Sequence, residues 1–153
     1  MANLVVTSYA FGQTRVGDTE FRAAFDATTM LLETGTGTCE TFEIFLAVKP
    51  VQRKRGLMFV QSMLPTQGML FQFAPQTSIS MYMKNTVIPL DIVFLDNAGA
   101  IINIAEDTEP YSLTSIRAAG PATFALELNA GRTAELGLKP GQTLFRPDLT
   151  ALQ

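Results

Sequence analysis

The chain has 153 residues, which suits one domain with a single core, and it is 47% hydrophobic but only 16% charged. Its formal net charge of −3 argues against nucleic-acid binding, which needs a basic face. Histidine is absent and Cys39 is the one cysteine, which excludes Ser-His-Asp and Cys-His catalysis, His-ligated metals, internal disulfides and thiolate clusters. We therefore expect no metal site and no cofactor.

The sequence shows neither a membrane helix nor a signal sequence. No apolar run approaches the ~20 residues that a membrane helix requires, so no transmembrane segment is expected. The N-terminus lacks the basic start and the long apolar core of a secretory signal. The protein is accordingly expected to be cytoplasmic if the chain is complete, or exported if a signal peptide was removed.

Residues 1–28 are weakly patterned, and we interpret them as an N-terminal extension in which Leu4–Val6 forms a short strand and Phe21–Phe25 forms either one helical turn or irregular chain. A single domain is expected over residues 29–153. Alternation of apolar and polar residues, bounded by Gly and Pro, predicts a series of short strands. These strands are expected at residues 41–48, 68–73, 79–84, 90–95, 100–105, 123–128 and 142–145.

Two short helices are predicted between the strands. Pro50 suits the first turn of a helix over residues 50–55, and Gly56 is expected to end it in the left-handed conformation. The second helix is expected over residues 130–136. Neither helix is long enough for the crossovers of a parallel α/β fold, so that class is disfavoured.

The turn Asp96-Asn97-Ala98-Gly99 predicts a hairpin between the strands on either side of it. Residues 106–121 are expected to form a long irregular loop, and loops of that length are often functional or mobile. The resulting fold class is mostly β (α+β). It is a small antiparallel sheet, barrel-like or strongly curved, with six to seven strands and two short helices.

The most informative stretch runs from Met83 to Leu95 and contains the longest apolar run of the chain. If residues 90–95 form a strand, both of its faces are apolar, and Asp91 is the exception. A buried carboxylate needs hydrogen bonds or a cation, or it stays protonated. We therefore expect another part of the chain to provide partners for Asp91.

Four motifs occur in an order that resembles DUF192, a widespread bacterial and archaeal family of domains of unknown function. The motifs are Arg55-Gly56-Leu57-Met58-Phe59, Gly68-Met69-Leu70-Phe71, Met83-Lys84-Asn85-Thr86-Val87-Ile88-Pro89-Leu90-Asp91, and Leu126-Glu127-Leu128-Asn129-Ala130-Gly131 followed by Leu138-Lys139-Pro140-Gly141. They span about residues 41–146. The resemblance implies a small β-rich domain, often exported behind a signal peptide or a lipoprotein signal, and it implies no established activity.

The chain departs from the family pattern just before the third motif. The family usually has an aromatic residue and a tryptophan there, whereas this chain has Met81 and Tyr82. If that pair lines a ligand site, the affinity or specificity of this chain differs from that of its relatives. The five methionines from Met58 to Met83 include soft ligands for Cu(I), but core filling is the better interpretation.

Seven polar residues form the candidate ligand site: Arg55, Tyr82, Lys84, Asn85, Thr86, Asp91 and Glu127. In this hypothesis Lys84 or Arg55 holds a small polar or anionic ligand. Asn85 and Thr86 donate hydrogen bonds, and Asp91 orients the cation or acts as a base. The alternative is architectural: Asn85 and Thr86 form a turn, and Asp91 caps that turn or pairs with Arg55.

Three functions remain open from the sequence. The leading hypothesis is a non-catalytic module of the cell envelope that binds a small ligand or a partner near residues 84–91. The second is a histidine-free hydrolase or lyase using Asp91 and Glu127 with Lys84, in which the two carboxyl groups lie roughly 5–10 Å apart. The third is a purely structural or interaction protein. A concave polar pocket around Lys84 favours the first two, and only the enzyme needs two carboxylates facing across it.

Overall fold

Six strands form one open sheet in the computed structural model, which describes residues 15–146. The strands of this sheet are β1 (Ala27–Glu33), β2 (Cys39–Ala47), β3 (Gln67–Thr77), β5 (Leu90–Leu95), β6 (Ile101–Thr108) and β8 (Ala122–Asn129), in the spatial order β1-β2-β3-β8-β5-β6. Two short strands, β4 (Ser80–Met81) and β7 (Ile116–Arg117), form a separate antiparallel pair. The mostly β class is confirmed, and the sheet is open rather than closed into a barrel.

Three short helices accompany the strands, one more than predicted: α1 (Thr19–Ala24), α2 (Pro50–Arg55) and α3 (Arg132–Glu135). Helix α2 has the predicted bounds. Gly56 ends α2 at φ 47° and ψ −137°, a positive-φ conformation that lies outside the left-handed helical region. A Cβ at Gly56 would lie 3.1 Å from the ring of Phe71, so a larger side chain is disfavoured by sterics as well as by the backbone.

The pair of β2 and β3 is parallel, whereas the sequence predicted an antiparallel sheet. Helix α2 and the residues after it carry the chain from the end of β2 back to the start of β3. A helix of six residues with irregular chain on both sides is therefore enough for this crossover. The prediction of an antiparallel sheet was wrong for this pair because it assumed that a parallel crossover requires a long helix.

Two other predicted strands are shorter than expected. The strand predicted at residues 79–84 reduces to β4, because the chain then turns: the N–H of Thr86 donates to the carbonyl of Met83. The last predicted strand reduces to a single bridge between Ala100 and Thr143. Conversely, the expected loop over residues 106–121 contains the end of β6 and the whole of β7.

Helix α1 lies within the stretch interpreted as an N-terminal extension. The carboxylate of Asp18 caps it by accepting from the N–H of Phe21 at 2.9 Å. Phe21 and Phe25 are buried, and the ring of Phe21 packs edge-on against Phe45 with 5.0 Å between the centroids. The short strand expected at Leu4–Val6 lies outside the described residues.

The sheet is covered on both faces, as the apolar residues on both faces of β5 predicted. Leu90, Ile92 and Phe94 belong to one apolar cluster, which packs beneath α1 and the chain around β4 and β7. Val93 and Leu95 belong to the other cluster, which includes Leu136 and Leu138 near α3 and the C-terminal part of the described chain. Burial on both faces explains why β5 has an almost continuous apolar sequence.

Candidate functional site

A cavity of about 230 Å³ lies on the face of the sheet that α2 covers. Fourteen residues line it: Arg53, Lys54, Arg55, Gly56, Leu57, Met58, Phe71, Phe73, Ser80, Met81, Tyr82, Lys84, Thr86 and Glu127. Apolar side chains from β3, from the chain after α2 and from β4 form most of the wall. The cationic residues come from α2 and from the turn after β4, which places a basic group of side chains around an apolar interior.

Glu127 is the acidic residue of this lining. It lies in the middle of β8, opposite Met69 on one neighbouring strand and Ile92 on the other. Only 5% of the residue is exposed, and its Oε2 atom has no hydrogen-bond partner among residues 15–146. Burial in the apolar sheet raises the pKa of this carboxyl from 4.5 to about 8. Glu127 is therefore mostly protonated at neutral pH and offers a hydrogen-bond donor to the cavity.

Two of the four cations are fixed by other contacts. The Nη1 atom of Arg53 donates to the carbonyls of Val48 and Gln72, and its guanidinium lies 5.3 Å from the centroid of the Phe73 ring. The guanidinium of Arg55 lies 5.6 Å from the centroid of Phe25 and 3.5 Å from the carboxylate of Glu20. These contacts hold both planar groups in place beside the cavity.

The other two cations are Lys54 and Lys84. Both are exposed, and neither forms an ion pair within residues 15–146. Their ammonium groups are free to contact a ligand at the cavity mouth. With Glu127 neutral, the lining found among residues 15–146 has four positive side chains, of which Arg55 is paired with the carboxylate of Glu20 outside the lining.

The turn over residues 82–86 brings Tyr82, Lys84 and Thr86 to the cavity. Asn85 does not line it. Asn85 adopts a positive φ of 56°, and its carbonyl accepts from the N–H of Phe59 at 2.8 Å. Asparagine tolerates this conformation better than most residues, so Asn85 shapes the turn that presents its neighbours.

Asp91 lies on the other face of the sheet and is fully buried. Its Oδ2 accepts from the N–H of Thr133 at 3.0 Å and from the Thr133 hydroxyl at 2.7 Å. Its Oδ1 accepts from the N–H of Asp107 at 2.9 Å. Asp91 thus fastens the first turn of α3 and the end of β6 to β5. Other parts of the chain provide partners for Asp91, as expected, but these are Thr133 and Asp107 rather than the turn at Asn85 and Thr86 or Arg55.

The register of β5 and β8 separates the two carboxyl groups of the enzyme hypothesis. Asp91 is opposite Leu128, and Glu127 is opposite Ile92. Because directly opposite residues of an antiparallel pair point to the same face, Asp91 and Glu127 point to opposite faces. Residues 15–146 also contain no group of three or more Cys, Asp or Glu side chains placed to hold a metal ion.

Five of the seven candidate residues therefore meet at one cavity: Arg55, Tyr82, Lys84, Thr86 and Glu127. Asn85 and Asp91 do not line it. Sequence reasoning missed Arg53 and Lys54 as site residues, because the basic run of α2 has the composition of an ordinary solvated helix face. Their proximity to Lys84 depends on the parallel crossover, which the sequence did not predict.

The protein is a small domain built on an open β-sheet. Its cavity has apolar walls, cationic side chains and the buried carboxyl of Glu127 in its lining. Residues 31–145 match the profile of DUF192, described as "Uncharacterized ACR". The match covers well over half of the chain, so the protein belongs to the DUF192 family. No curated protein matches the sequence.

Several solved structures resemble the domain, and two of them are described. One, from Sinorhizobium meliloti 1021, is described as a candidate transcription regulator; it is 38% identical with a TM-score of 0.77, over 80% of this chain and 95% of that one. The other is a protein of unknown function from Novosphingobium aromaticivorans DSM 12444. It is 37% identical with a TM-score of 0.73, over 77% of this chain and 84% of that one. No helix within residues 15–146 is long and apolar enough to cross a membrane.

Proposed function

We propose that the protein is a non-catalytic module that binds a small organic anion in the cavity above Glu127. The observation that carries this proposal is the buried carboxyl of Glu127, which has an unpartnered Oε2 and lies in a cavity with four cationic side chains. An unpartnered buried polar group costs free energy, of the order of 1–3 kcal/mol. A ligand that accepts a hydrogen bond from this group would recover part of that cost.

The charge distribution favours an anion over a cation. A protonated Glu127 adds no negative charge to the cavity, whereas Arg53, Lys54, Arg55 and Lys84 add positive charge. An ion pair ~4 Å apart near a protein surface is worth about 4 kcal/mol before desolvation is counted. The apolar walls formed by Leu57, Phe71 and Met81 suit a ligand with some hydrocarbon content.

Binding is preferred to catalysis because only one carboxyl faces the cavity. The hydrolase or lyase hypothesis used Asp91 and Glu127 together, and these two side chains point to opposite faces of the sheet. A concave, apolar-walled pocket with cationic side chains beside Lys84 also favours a ligand site over a purely structural role. A location in the cell envelope remains a prediction from the family resemblance.

The test is calorimetric titration at pH 6.5 with acetate, benzoate and inorganic phosphate, and with amines of matched size as the cationic probes. We expect at least one anion to bind and the amines not to bind. Lys84→Ala should weaken anion binding about tenfold, which corresponds to the loss of about 1.4 kcal/mol. Lys139→Ala is the matched control, because Lys139 is exposed and does not line the cavity. Binding of amines alone, or of no probe, would refute the proposal.

The pH dependence gives a second test of the sign of the ligand charge. As the pH rises through about 8, Glu127 ionises and places a negative charge in the cavity. Anion affinity should therefore fall above that pH in the wild type. It should stay constant in Glu127→Gln, whose neutral amide still donates a hydrogen bond. A cationic ligand would show the opposite trend in the wild type.

A further inference from the structure

A group of exposed apolar side chains lies on segments that meet at the turn beside the cavity. We call it the aromatic ledge, and it consists of Phe59, Tyr82, Tyr111 and Leu113. Phe59 is 61% exposed, Tyr111 is 60% exposed and Leu113 is 74% exposed. Tyr82 also lines the cavity, so the ledge and the cavity form one continuous surface. Exposed aromatic side chains gathered around an opening mark a site of contact with another molecule.

Hydrogen bonds of the backbone attach the ledge to the turn at the cavity mouth. The N–H of Phe59 donates to the carbonyl of Asn85 at 2.8 Å, and the N–H of Tyr111 donates to the carbonyl of Thr86 at 3.0 Å. The carbonyl of Ser112 accepts from the N–H of Met83 at 2.9 Å. Three separate segments are thereby joined around Lys84, and their positions are fixed relative to the cavity.

The backbone at the two outer aromatic residues is held in an unfavourable conformation. Phe59 has φ 65° and Tyr111 has φ 62°. Bulky residues rarely adopt positive φ, because this conformation is strained for a side chain of that size. The rings gain little burial in return, since both are more exposed than buried. Packing within the domain therefore does not account for an aromatic residue at either position.

We infer that the ligand is an amphipathic carboxylate, with its anionic end in the cavity and its alkyl or aryl body across the aromatic ledge. This inference rests on the proposed function and names the ligand class. Tyr82 belongs both to the cavity lining and to the ledge, so the body of such a molecule can extend from the cavity onto the ledge. Lys84 lies on the turn between cavity and ledge, where the carboxylate enters. Glu109 is exposed two residues before Tyr111, so a second negative charge on the ledge is disfavoured.

The experiment measures the dissociation constants of straight-chain alkanoates from acetate to decanoate, at pH 6.5 and below their micelle concentrations. In the wild type, affinity should rise about twofold for each methylene that reaches the ledge, roughly half the effect of complete burial. The double variant Phe59→Asn with Tyr111→Asn removes both rings and places at each position a residue that accepts positive φ. It should bind octanoate about tenfold more weakly than the wild type and acetate equally well.

Leu64→Asn is the matched control, since Leu64 is 62% exposed and does not line the cavity. It should change neither affinity. The melting temperature of the double variant should equal or exceed that of the wild type, and Phe59→Gly provides a second variant with the same expectation. A retained chain-length dependence in the double variant would overturn the role of the ledge while leaving anion binding intact. Failure of every alkanoate, acetate included, together with benzoate and phosphate, would refute the proposed function itself.

Discussion

The substitution Glu127→Gln tests whether the acid beneath the cavity is neutral in the folded protein. The pKa of Glu127 is raised to about 8 in the fold, against 4.5 for the free side chain, because burial disfavours the carboxylate. Between these two values the native state binds more protons than the unfolded state. The stability contributed by neutral Glu127 is therefore complete below roughly pH 4.5 and is lost as the pH rises to about 8. At about 1.36 kcal/mol per unit, the wild type should lose about 4 kcal/mol between pH 5 and pH 9.

The assay is urea unfolding of the wild type and of Glu127→Gln at half-unit pH intervals. The difference between the two free energies of unfolding should change by about 4 kcal/mol across this range, with the glutamine variant the more stable at pH 9. The pKa values of Asp18 and Glu43 are lowered, by a backbone hydrogen bond from Arg15 and by a side-chain hydrogen bond from Gln67. Stability that these two carboxylates contribute is lost in acid, below the tested range. Parallel curves for the two proteins would show that Glu127 is solvated and would refute the reasoning.

Two further substitutions probe the scaffold on either side of the site. Asp91→Ala leaves the hydroxyl and N–H of Thr133 and the N–H of Asp107 without their acceptor, so unfolding in urea should show a loss of at least about 3 kcal/mol. Because Asp91 points away from the cavity, the fraction of Asp91→Ala that remains folded should keep its ligand affinity. Loss of affinity in that fraction would contradict this placement of Asp91. Gly68→Ala would place a Cβ 2.8 Å from Leu128 Cδ2 and 2.9 Å from the carbonyl oxygen of Glu127. It should cost about 1–3 kcal/mol and weaken anion binding by shifting β8, whereas an unchanged melting temperature would contradict this packing.

Local sequence patterns predicted the elements whose causes are local. The bounds of α2 follow from Pro50 at its start and Gly56 at its end, and β5 follows from an apolar run between a proline and a turn. The direction of β3 could not be predicted in this way. Whether two strands pair in parallel depends on the path of the connection between them. The short irregular segments around α2 have no periodic pattern from which that path can be predicted. The sequence left residues 21–25 open between one helical turn and irregular chain, because the apolar contacts of α1, such as Phe21 with Phe45, are made with residues distant in sequence.

The sequence predicted which kinds of residue form the candidate site better than it predicted which of those residues lie together. The motif around Lys84 and the motif around Glu127 both contribute to the cavity, as expected of polar residues in otherwise apolar segments. Asp91 has the same appearance in the sequence as Glu127, one charge within an apolar strand. Register alone distinguishes them: a shift of one residue across the β5–β8 pair reverses the face to which a side chain points. That register is set by long-range pairing, so the sequence of either strand does not contain it.

The position of β8 in the sheet has a consequence for how the chain folds during its synthesis. This strand lies between β3 and β5, yet it is the last strand of the sheet in chain order. A growing chain released from the ribosome up to β6 thus has two incomplete half-sheets, each with an unpaired apolar edge. Such edges are templates for pairing with other chains until residues 122–129 insert between them. Because Glu127 arrives on that strand, the cavity acquires its acidic residue in the same event that closes the aggregation-prone edges.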